Sequence, residues 1–301
     1  MGWLLLLLLL LLALAVVALP FVIEARRPLP PEPAESHHLP EGRVAVDRTG
    51  PRRGAPVVCV HGLTTPKIAF DGIARGLAQS GYRVLTYDLW GRGGSDRVPG
   101  RQDAALFARQ LDGLLEAEGL TENVTLIGYS MGGAIAAAYA AERPDRIGRV
   151  ILLASAGLVP VSRALTVRLA RLPLLGDWLI RLVEPIRFRA EIRAADAPPD
   201  IAAAQLDETY RRGFFPAVLS SLRHMLGGTQ EAAHRRLAAS GLPVVAIWGR
   251  EDRVIPLSAS GQLAQWNRQA KQEVVAGAGH GLPYTHPGEV VEIVKAILRE
   301  G

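Results

Sequence analysis

The stretch that most constrains the fold lies at residues 124–139. An apolar run at 124–127 leads through a Gly-Tyr-Ser-Met-Gly pentapeptide at 128–132 into a run of small residues. The first run is typical of a buried strand and the last of a closely packed helix. Glycines on both sides of Ser130 allow the backbone to turn sharply, so the serine is exposed at the tip. The pattern predicts a strand–turn–helix unit that presents a candidate nucleophile; the alternative is an ordinary turn with a serine between glycines.

Strand and helix patterns alternate on both sides of this unit. Strands are predicted at residues 43–47, 56–60, 82–87, 123–129, 150–154, 242–248 and 273–276, and helices at 68–79, 104–117, 258–266 and 290–298. This alternation implies an α/β fold, with a mostly parallel sheet covered by helices on both faces. We therefore expect a core built from two parts, residues 43–157 and 242–301, which together are long enough to bury one large interior.

The segment at residues 158–241 interrupts the alternation. It contains no good strand pattern, and its leucines at 165, 169, 172, 179 and 182 recur at helical spacing. Residues 214–225 form a second helical pattern. Ligands bind outside the carboxyl ends of the strands in such sheets, so we expect this segment to form a helical cap or lid over Ser130.

The chain begins with an apolar segment, residues 3–23, interrupted only by Pro20. About 20 such residues can span a bilayer core. A cleaved signal peptide usually has a basic start and a shorter apolar run, which favours an uncleaved transmembrane anchor here. Arg26 and Arg27 follow the span and favour a cytoplasmic domain, but two arginines leave the side of the membrane open. Residues 24–42 are rich in proline and predict a stiff linker, with its histidines exposed to solvent.

Composition disfavours several classes of function. The formal charge is +5, but no Lys/Arg run is interleaved with aromatic residues, so we expect no nucleic-acid partner. The single cysteine, Cys59, lies among valines and reads as a buried strand thiol. His37 and His38 have no cysteine or acidic cluster beside them, so we expect no metal site, and no cofactor motif is present.

Two loops supply partners for the candidate nucleophile. A serine hydroxyl needs a base within hydrogen-bond reach, and that base needs a carboxylate to orient it. Asp252 follows one predicted strand, and His280 lies among glycines after the last one. Their chain order with Ser130 is serine, acid, histidine, which is the order of one known hydrolase fold. The sequence therefore predicts a catalytic triad of Ser130, Asp252 and His280.

A tetrahedral intermediate also needs amide donors for its oxyanion. One donor is expected from Met131, which follows the nucleophile, and another from Leu63, in the loop after the first buried strand. His61, in the same loop, is interpreted as a structural residue that holds the loop.

Five ordered motifs resemble the α/β-hydrolase superfamily, in its lid-bearing serine esterase and lipase branch. They are His-Gly-Leu at 61–63, Tyr-Asp-Leu-Trp-Gly-Arg-Gly-Gly-Ser at 87–95, the pentapeptide at 128–132, Trp-Gly-Arg-Glu-Asp at 248–252 and Gly-His at 279–280. The resemblance implies the same triad, with the amides of Leu63 and Met131 as the oxyanion hole. The anchor and the cap stretch at 213–223 are also similar to monoacylglycerol-lipase-like members.

The chain departs from other branches of the superfamily. Its first loop reads His-Gly-Leu-Thr rather than His-Gly-Gly-Gly, which disfavours the hormone-sensitive-lipase type. A serine at the elbow argues against haloalkane dehalogenases and epoxide hydrolases, which the resemblance associates with an aspartate there.

The favoured hypothesis is a membrane-anchored serine hydrolase that cleaves carboxylic esters with apolar acyl chains, with a small-molecule ester such as a lipid as its substrate. One alternative uses the same triad to hydrolyse a carbon–carbon bond of a ring-cleavage product, or for a perhydrolase reaction. Another is a non-catalytic binding module on a membrane tether. The natural substrate, the acyl length and the oligomeric state are left open.

Overall fold

The computed structural model describes residues 2–160, 169, 172–195 and 197–299. Its eight strands form one sheet. The strands are β1 (Ser36–Leu39), β2 (Gly42–Thr49), β3 (Pro56–Val60), β4 (Arg83–Tyr87), β5 (Val124–Tyr129), β6 (Ile147–Leu153), β7 (Val244–Gly249) and β8 (Lys271–Val275).

The helices alternate with these strands, apart from the first helix and the cap. They are α1 (Gly2–Arg26), α2 (Asp71–Gln79), α3 (Ala104–Ala117), α4 (Met131–Glu142), α5 (Leu175–Leu182), α6 (Glu184–Ala194), α7 (Pro199–Glu208), α8 (Phe214–Arg223), α9 (Glu231–Ser240), α10 (Ala259–Trp266), α11 (Leu282–Thr285) and α12 (Pro287–Arg299). A short 3₁₀ turn, Lys67–Phe70, precedes α2 and occupies the start of the helix predicted at residues 68–79.

The strand order is β1-β2-β4-β3-β5-β6-β7-β8. The pairs β1–β2 and β2–β4 are antiparallel, and all the others are parallel. The predicted α/β fold with a mostly parallel sheet is therefore confirmed. Since β5, β6, β7 and β8 run in one direction, the loops after them meet at one edge of the sheet.

The sheet separates two apolar layers. Side chains on one face of the strands, such as Val58 and Leu126, pack with α3, α4 and α10. Those on the other face, such as Val57 and Ile127, pack with α2 and α12. Strands buried on both faces read as continuous apolar runs, which is why these were visible in the sequence. Cys59 is fully buried on β3, as expected.

The predicted linker at residues 24–42 is wrong at both ends. The helix α1 continues to Arg26, and Ser36–Leu39 forms the edge strand β1, paired with β2. His37 is not simply solvated, because its Nε2 lies 2.6 Å from a carboxylate oxygen of Glu118. A four-residue edge strand carries little periodicity, and its pairing depends on tertiary contacts that sequence patterns do not record.

Helices occupy the described part of the segment predicted as a cap. They are α5 to α9; of the predicted leucine pattern, Leu179 and Leu182 lie on α5, and Leu172 precedes it. Leu165 of that pattern lies outside the described residues. Phe214, Phe215, Val218 and Leu219 form an apolar cluster with Ile180 that joins α8 to α5.

The helix α1 is long and apolar enough to cross a membrane. The mean hydropathy of its most apolar window is 3.2, and most of its side chains are exposed. A signal sequence would satisfy the same description.

Candidate active site

The turn at Ser130 has the geometry predicted from the pentapeptide. The strand β5 ends at Tyr129, α4 begins at Met131, and Ser130 between them has φ 52° and ψ −118°. A positive φ is costly for a residue with a side chain and persists only when its surroundings impose it. Here the Ser130 N–H donates to the Leu153 carbonyl at 2.9 Å, and the Ser130 carbonyl accepts from Ala156 at 3.0 Å.

Glycines on either side permit this turn because backbone segments approach closely. A Cβ on Gly132 would lie 2.0 Å from the carbonyl oxygen of Val60. A Cβ on Gly128 would lie 2.4 Å from the carbonyl oxygen of Gly132. No side chain fits at those distances, so the helix can sit close behind the strand only with glycine at both positions.

The structure brings Ser130, His280 and Asp252 together. The His280 Nε2 lies 3.0 Å from the Ser130 hydroxyl, and its Nδ1 lies 2.8 Å from the Asp252 Oδ2. With Nδ1–H donating to the carboxylate, Nε2 is left to accept the hydroxyl proton. This arrangement can activate the serine as a nucleophile.

Asp252 is fixed by its own loop. Its side chain is 1% exposed, and its second oxygen, Oδ1, accepts from the N–H groups of Val254 and Ile255, each at 2.8 Å. The carboxylate therefore makes three hydrogen bonds and has one orientation toward the imidazole. His280 also packs against Tyr129, with ring centroids 5.4 Å apart.

The loop after β3 lies directly against the serine. A Cβ on Gly62 would be 3.3 Å from the Ser130 Cβ, and Leu63 lines the same cavity as Ser130. Met131 is the first residue of α4, and N–H groups in a first helical turn lack intrahelical partners. Both residues are thus close to the serine, and the oxyanion hole formed by their amides stays a prediction.

His61 holds this loop in place. Its Nδ1 donates to the Gly62 carbonyl at 2.8 Å, and its Nε2 accepts from the Leu89 N–H at 2.9 Å. Burial lowers the pKa of the imidazole to about 3, so the ring is neutral at physiological pH. The structural interpretation of His61 is confirmed.

Arg92 joins the same loop to the cap, and it was not singled out from the sequence. The buried guanidinium uses every N–H: it donates to the carbonyls of Leu63, Trp90 and Ala217 and to the side chains of Gln102 and Ser221. Burial lowers its pKa to about 9. The glycine-rich motif at 87–95 contains this arginine, but its partners on α8 are more than 120 residues away in sequence.

Glu208, at the end of α7, makes a second set of contacts between the cap and the core. Its carboxylate accepts from the Gly93 N–H at 2.9 Å and lies 3.7 Å from Arg97. Burial raises the pKa of Glu208 to about 7. Together, Arg92 and Glu208 attach two cap helices to the glycine-rich loop that follows β4.

Two cavities meet at the catalytic histidine candidate. The inner chamber, about 450 Å³, contains Ser130 and has a largely apolar wall. That wall is formed by Leu63, Ala156, Val159, Leu222, Leu226 and Ile255. The outer chamber, about 840 Å³, shares His280 with the inner one but not Ser130, and its lining is mixed, with Glu191, Glu251, Thr285 and His286 beside Phe188 and Ile192.

The boundary between the chambers is mostly polar, with Val254 as its apolar member. Gln205, Arg253 and Tyr284 line both cavities, and Gln205 donates to the Thr65 hydroxyl at 2.7 Å. The site can therefore hold an apolar group on one side of the histidine and a hydrophilic group on the other. Among the described residues, no group of three or more His, Cys, Asp or Glu side chains is placed to bind a metal.

Comparison with known proteins agrees with this architecture. Residues 55–287 match the family model described as the alpha/beta hydrolase fold. Among curated proteins, the chain is similar to a 2-hydroxymuconate semialdehyde hydrolase of Pseudomonas putida, with 28% identity over 82% of this chain and 88% of the relative. It is also similar to the monoacylglycerol lipase abhd6-A of Xenopus laevis, with 26% identity over 83% and 77% of the two chains.

Among solved structures, one neighbour overlays the full length of the chain. It is a membrane phospholipase A described as a bacterial virulence factor, with 21% identity and a TM-score of 0.71. The overlay covers 100% of this chain and 99% of that one. At this level of identity, the likeness establishes the shared fold.

Proposed function

Because the chain belongs to the α/β-hydrolase family and is a hydrolytic enzyme, we propose that it cleaves carboxylic esters with apolar acyl chains by a serine acyl-enzyme mechanism. The observation that carries the proposal is the continuous hydrogen-bonded chain from Ser130 through His280 to Asp252. All three positions needed for covalent catalysis are occupied, which argues against a non-catalytic binding module.

In the first half-reaction, Ser130 Oγ attacks the ester carbonyl carbon while its proton passes to His280 Nε2. The Asp252 carboxylate stabilises the imidazolium that forms. Negative charge moves to the carbonyl oxygen, which accepts hydrogen bonds from the amides of Leu63 and Met131. The tetrahedral intermediate then collapses: the carbon–oxygen ester bond breaks, and His280 returns the proton to the leaving alcohol.

In the second half-reaction, water replaces the alcohol. His280 Nε2 takes a proton from the water, whose oxygen attacks the acyl carbon on Ser130. The second intermediate expels the serine oxygen, which regains the proton from His280. The products are a carboxylic acid and the free enzyme, so no cofactor is needed.

The two chambers support the choice of substrate. The apolar wall of the inner chamber suits an acyl chain bonded to the carbonyl beside Ser130. The outer chamber, with its carboxylates and imidazole, suits a hydrophilic alcohol leaving past His280. A monoester of a polyhydroxy alcohol combines these two properties, and a relative bears the name of a monoacylglycerol lipase. We further propose that α1 anchors the chain in a membrane, since its apolar length matches a bilayer core.

Carbon–carbon bond hydrolysis is the second candidate, because several relatives are 2-hydroxymuconate semialdehyde hydrolases or related dienedioate hydrolases. The two reactions can be separated by measuring kcat/KM of the full chain on a p-nitrophenyl ester series, a medium-chain monoacylglycerol and 2-hydroxymuconate semialdehyde. We expect turnover of the esters to increase from acetyl to medium acyl chains. A preference for the semialdehyde, with ester turnover no greater than that of Ser130→Ala, would instead support the second candidate.

A further inference from the structure

The helix α1 packs along the cap with a defined register. The Trp178 Nε1–H, on α5, donates to the Val16 carbonyl at 3.0 Å. Further along α1, the Arg181 guanidinium lies 4.6 Å from the centroid of the Phe21 ring. The Gly213 N–H, at the start of α8, then donates to the Glu24 carboxylate at 2.6 Å. Contacts between α1 and the cap thus begin well inside the apolar segment.

This register determines how deep α5 lies if α1 spans a bilayer. The apolar run at residues 3–23 is about 31 Å long at 1.5 Å per residue, close to the thickness of a bilayer core. Val16 precedes Glu24 by eight residues, or about 12 Å along the axis. Glu24 and Arg26 mark the polar end of the span, so Trp178 lies below the level of the head groups.

Apolar side chains are exposed before, on and just after α5, the cap helix that packs on α1, as this depth requires. Leu174 is 81% exposed and Ile186 is 70% exposed, and Leu172, Leu175 and Val183 around them are each more than two-fifths exposed. In water, an exposed leucine side chain is unfavourable, whereas in lipid it is solvated.

An exposed basic residue lies where phosphate groups would be. Arg26 follows the span and is exposed, whereas Arg181, beside Phe21, is mostly buried and lies 3.5 Å from the Asp177 carboxylate. An exposed arginine at this level is attracted to the anionic surface of a membrane. Apolar side chains on one side and a basic residue at the boundary are typical of a segment that lies in the membrane interface.

We propose that the cap is immersed in the lipid leaflet through the apolar face formed by Leu172, Leu174, Leu175, Val183 and Ile186, so that lipid substrate enters from the bilayer. The inference rests on the proposed anchoring by α1. The α5 helix packs on α8, which supplies Leu222 to the inner chamber, and α6 supplies Phe188 and Ile192 to the outer chamber. The α6 helix therefore lines the site and carries Ile186, whereas α5, which carries Leu175, packs on a helix that lines the site.

Depth-dependent quenching tests the position of this face. The full chain is reconstituted into phosphatidylcholine vesicles containing phosphatidylglycerol, with an environment-sensitive fluorophore on Leu174→Cys or Ile186→Cys. Cys59 is fully buried and stays unlabelled. The matched control is Ser80→Cys, an exposed position after α2 at the amino ends of the strands, opposite the cap. We expect acyl-chain-linked doxyl lipids to quench positions 174 and 186 but not position 80; equal, weak quenching at all three would overturn the proposal.

Activity gives an independent test. Leu174→Glu with Ile186→Glu should lower turnover of a vesicle-borne monoacylglycerol by about tenfold or more, while hydrolysis of soluble p-nitrophenyl acetate stays within about twofold. Unchanged turnover on vesicles would contradict the proposal. If the native chain hydrolyses neither ester, the proposed function fails and quenching still tests the membrane face. If the double variant does not fold, the labelled single variants carry the test.

Discussion

At the scale of single residues, the buried guanidinium of Arg92 links the loop after β3 to the cap. It donates to the Leu63 carbonyl at 3.1 Å and to the Ser221 hydroxyl at 2.8 Å. A lysine carries its charge on one nitrogen and cannot satisfy acceptors spread around a planar fork. Because Leu63 is a proposed oxyanion donor, a change here should reach the reaction through the position of that loop.

We therefore expect Arg92→Lys to lower the free energy of unfolding by about 3 kcal/mol and kcat by about tenfold or more, with a smaller change in KM. Urea unfolding and steady-state kinetics on a soluble ester measure the two effects. Arg75→Lys is the matched control, since Arg75 is exposed on α2. A variant that lost stability but kept its kcat would show that Arg92 has no role in positioning the loop.

A second residue makes stability depend on pH. His234, on α9, is fully buried against Trp266, and neither ring nitrogen has a hydrogen-bond partner among the described residues. Burial lowers its pKa from 6.5 to about 4. Between these values, the unfolded chain binds a proton that the folded chain excludes, so stability is full above pH 6.5 and falls as the pH decreases toward 4.

Replacing this imidazole should remove its share of the acid sensitivity. At about 1.4 kcal/mol per pH unit, His234 accounts for a loss of about 3 kcal/mol across the window. We expect His234→Leu to reduce the decline in unfolding free energy between pH 7 and pH 4.5, measured by urea titration; His61 remains and keeps part of the slope. Gln79→Leu, at an exposed position with no titratable side chain, should leave the slope unchanged. If the unfolding free energy decreased equally with pH in the native chain and in His234→Leu, this explanation would be contradicted.

At the scale of elements, two glycines within helices differ in whether the structure has room for a Cβ atom. Comparing them distinguishes a steric requirement for glycine from the general effect of glycine on helix stability. A Cβ at Gly132, in α4, would meet the Val60 carbonyl oxygen at 2.0 Å, whereas a Cβ at Gly261, in α10, would meet nothing within 4 Å. Alanine is the better helix former by about 1 kcal/mol where space allows. The same substitution should therefore have opposite effects in the two helices.

We expect Gly132→Ala to destabilise the fold by more than about 3 kcal/mol and to abolish ester hydrolysis, because α4 must move away from β3. Gly261→Ala should raise the melting temperature slightly and leave activity unchanged. Thermal unfolding followed by circular dichroism compares them. An active, stable Gly132→Ala variant would show that α4 and β3 can separate without disturbing the serine.

The elements that sequence patterns predicted are those with strong local signals. The central parallel strands are continuous apolar runs, and each predicted strand from 56–60 onward overlaps an observed one. Asp252 and His280 could be placed because each follows a strand, and the ends of parallel strands converge. The edge strand β1 was missed because four residues, two of them histidines, give no usable periodicity.

The contacts that complete the site join residues that are far apart in sequence, and local sequence patterns do not predict such pairs. Arg92 reaches α8, and Gln205 reaches Thr65 across 140 residues. In the sequence alone, glycine-rich and polar segments have the composition of solvated loops, because their contacts form only in the folded protein. The nucleophile was therefore visible in one pentapeptide, while the chambers that select the substrate required the folded cap.

At the scale of the whole molecule, α1 and the hydrolase domain form one connected unit. The Arg212 guanidinium donates to the Ala25 carbonyl at 3.2 Å, and the backbone N–H of Arg212 donates to the Pro28 carbonyl at 2.8 Å. Glu24 is 7% exposed and accepts from Gly213. A helix held by the cap in this way is expected to stay attached to the mature protein.

We predict that the expressed chain retains α1 and remains in the membrane fraction after an alkaline carbonate wash. Intact mass and N-terminal sequencing of the purified protein measure retention. Release of a soluble domain that begins after Arg26 would contradict the anchor and would identify α1 as a signal sequence.

The central claim is that Ser130 is the nucleophile of a serine hydrolase, and covalent labelling with a fluorophosphonate tests it most directly. Mass spectrometry of the labelled full chain should find one adduct, on the peptide containing Ser130, which is lost in Ser130→Ala and retained in the exposed-serine control Ser258→Ala. Labelling should also become much slower in His280→Ala, because the hydroxyl loses its base. An adduct on another residue, or an adduct that persists in Ser130→Ala, would contradict the proposed mechanism.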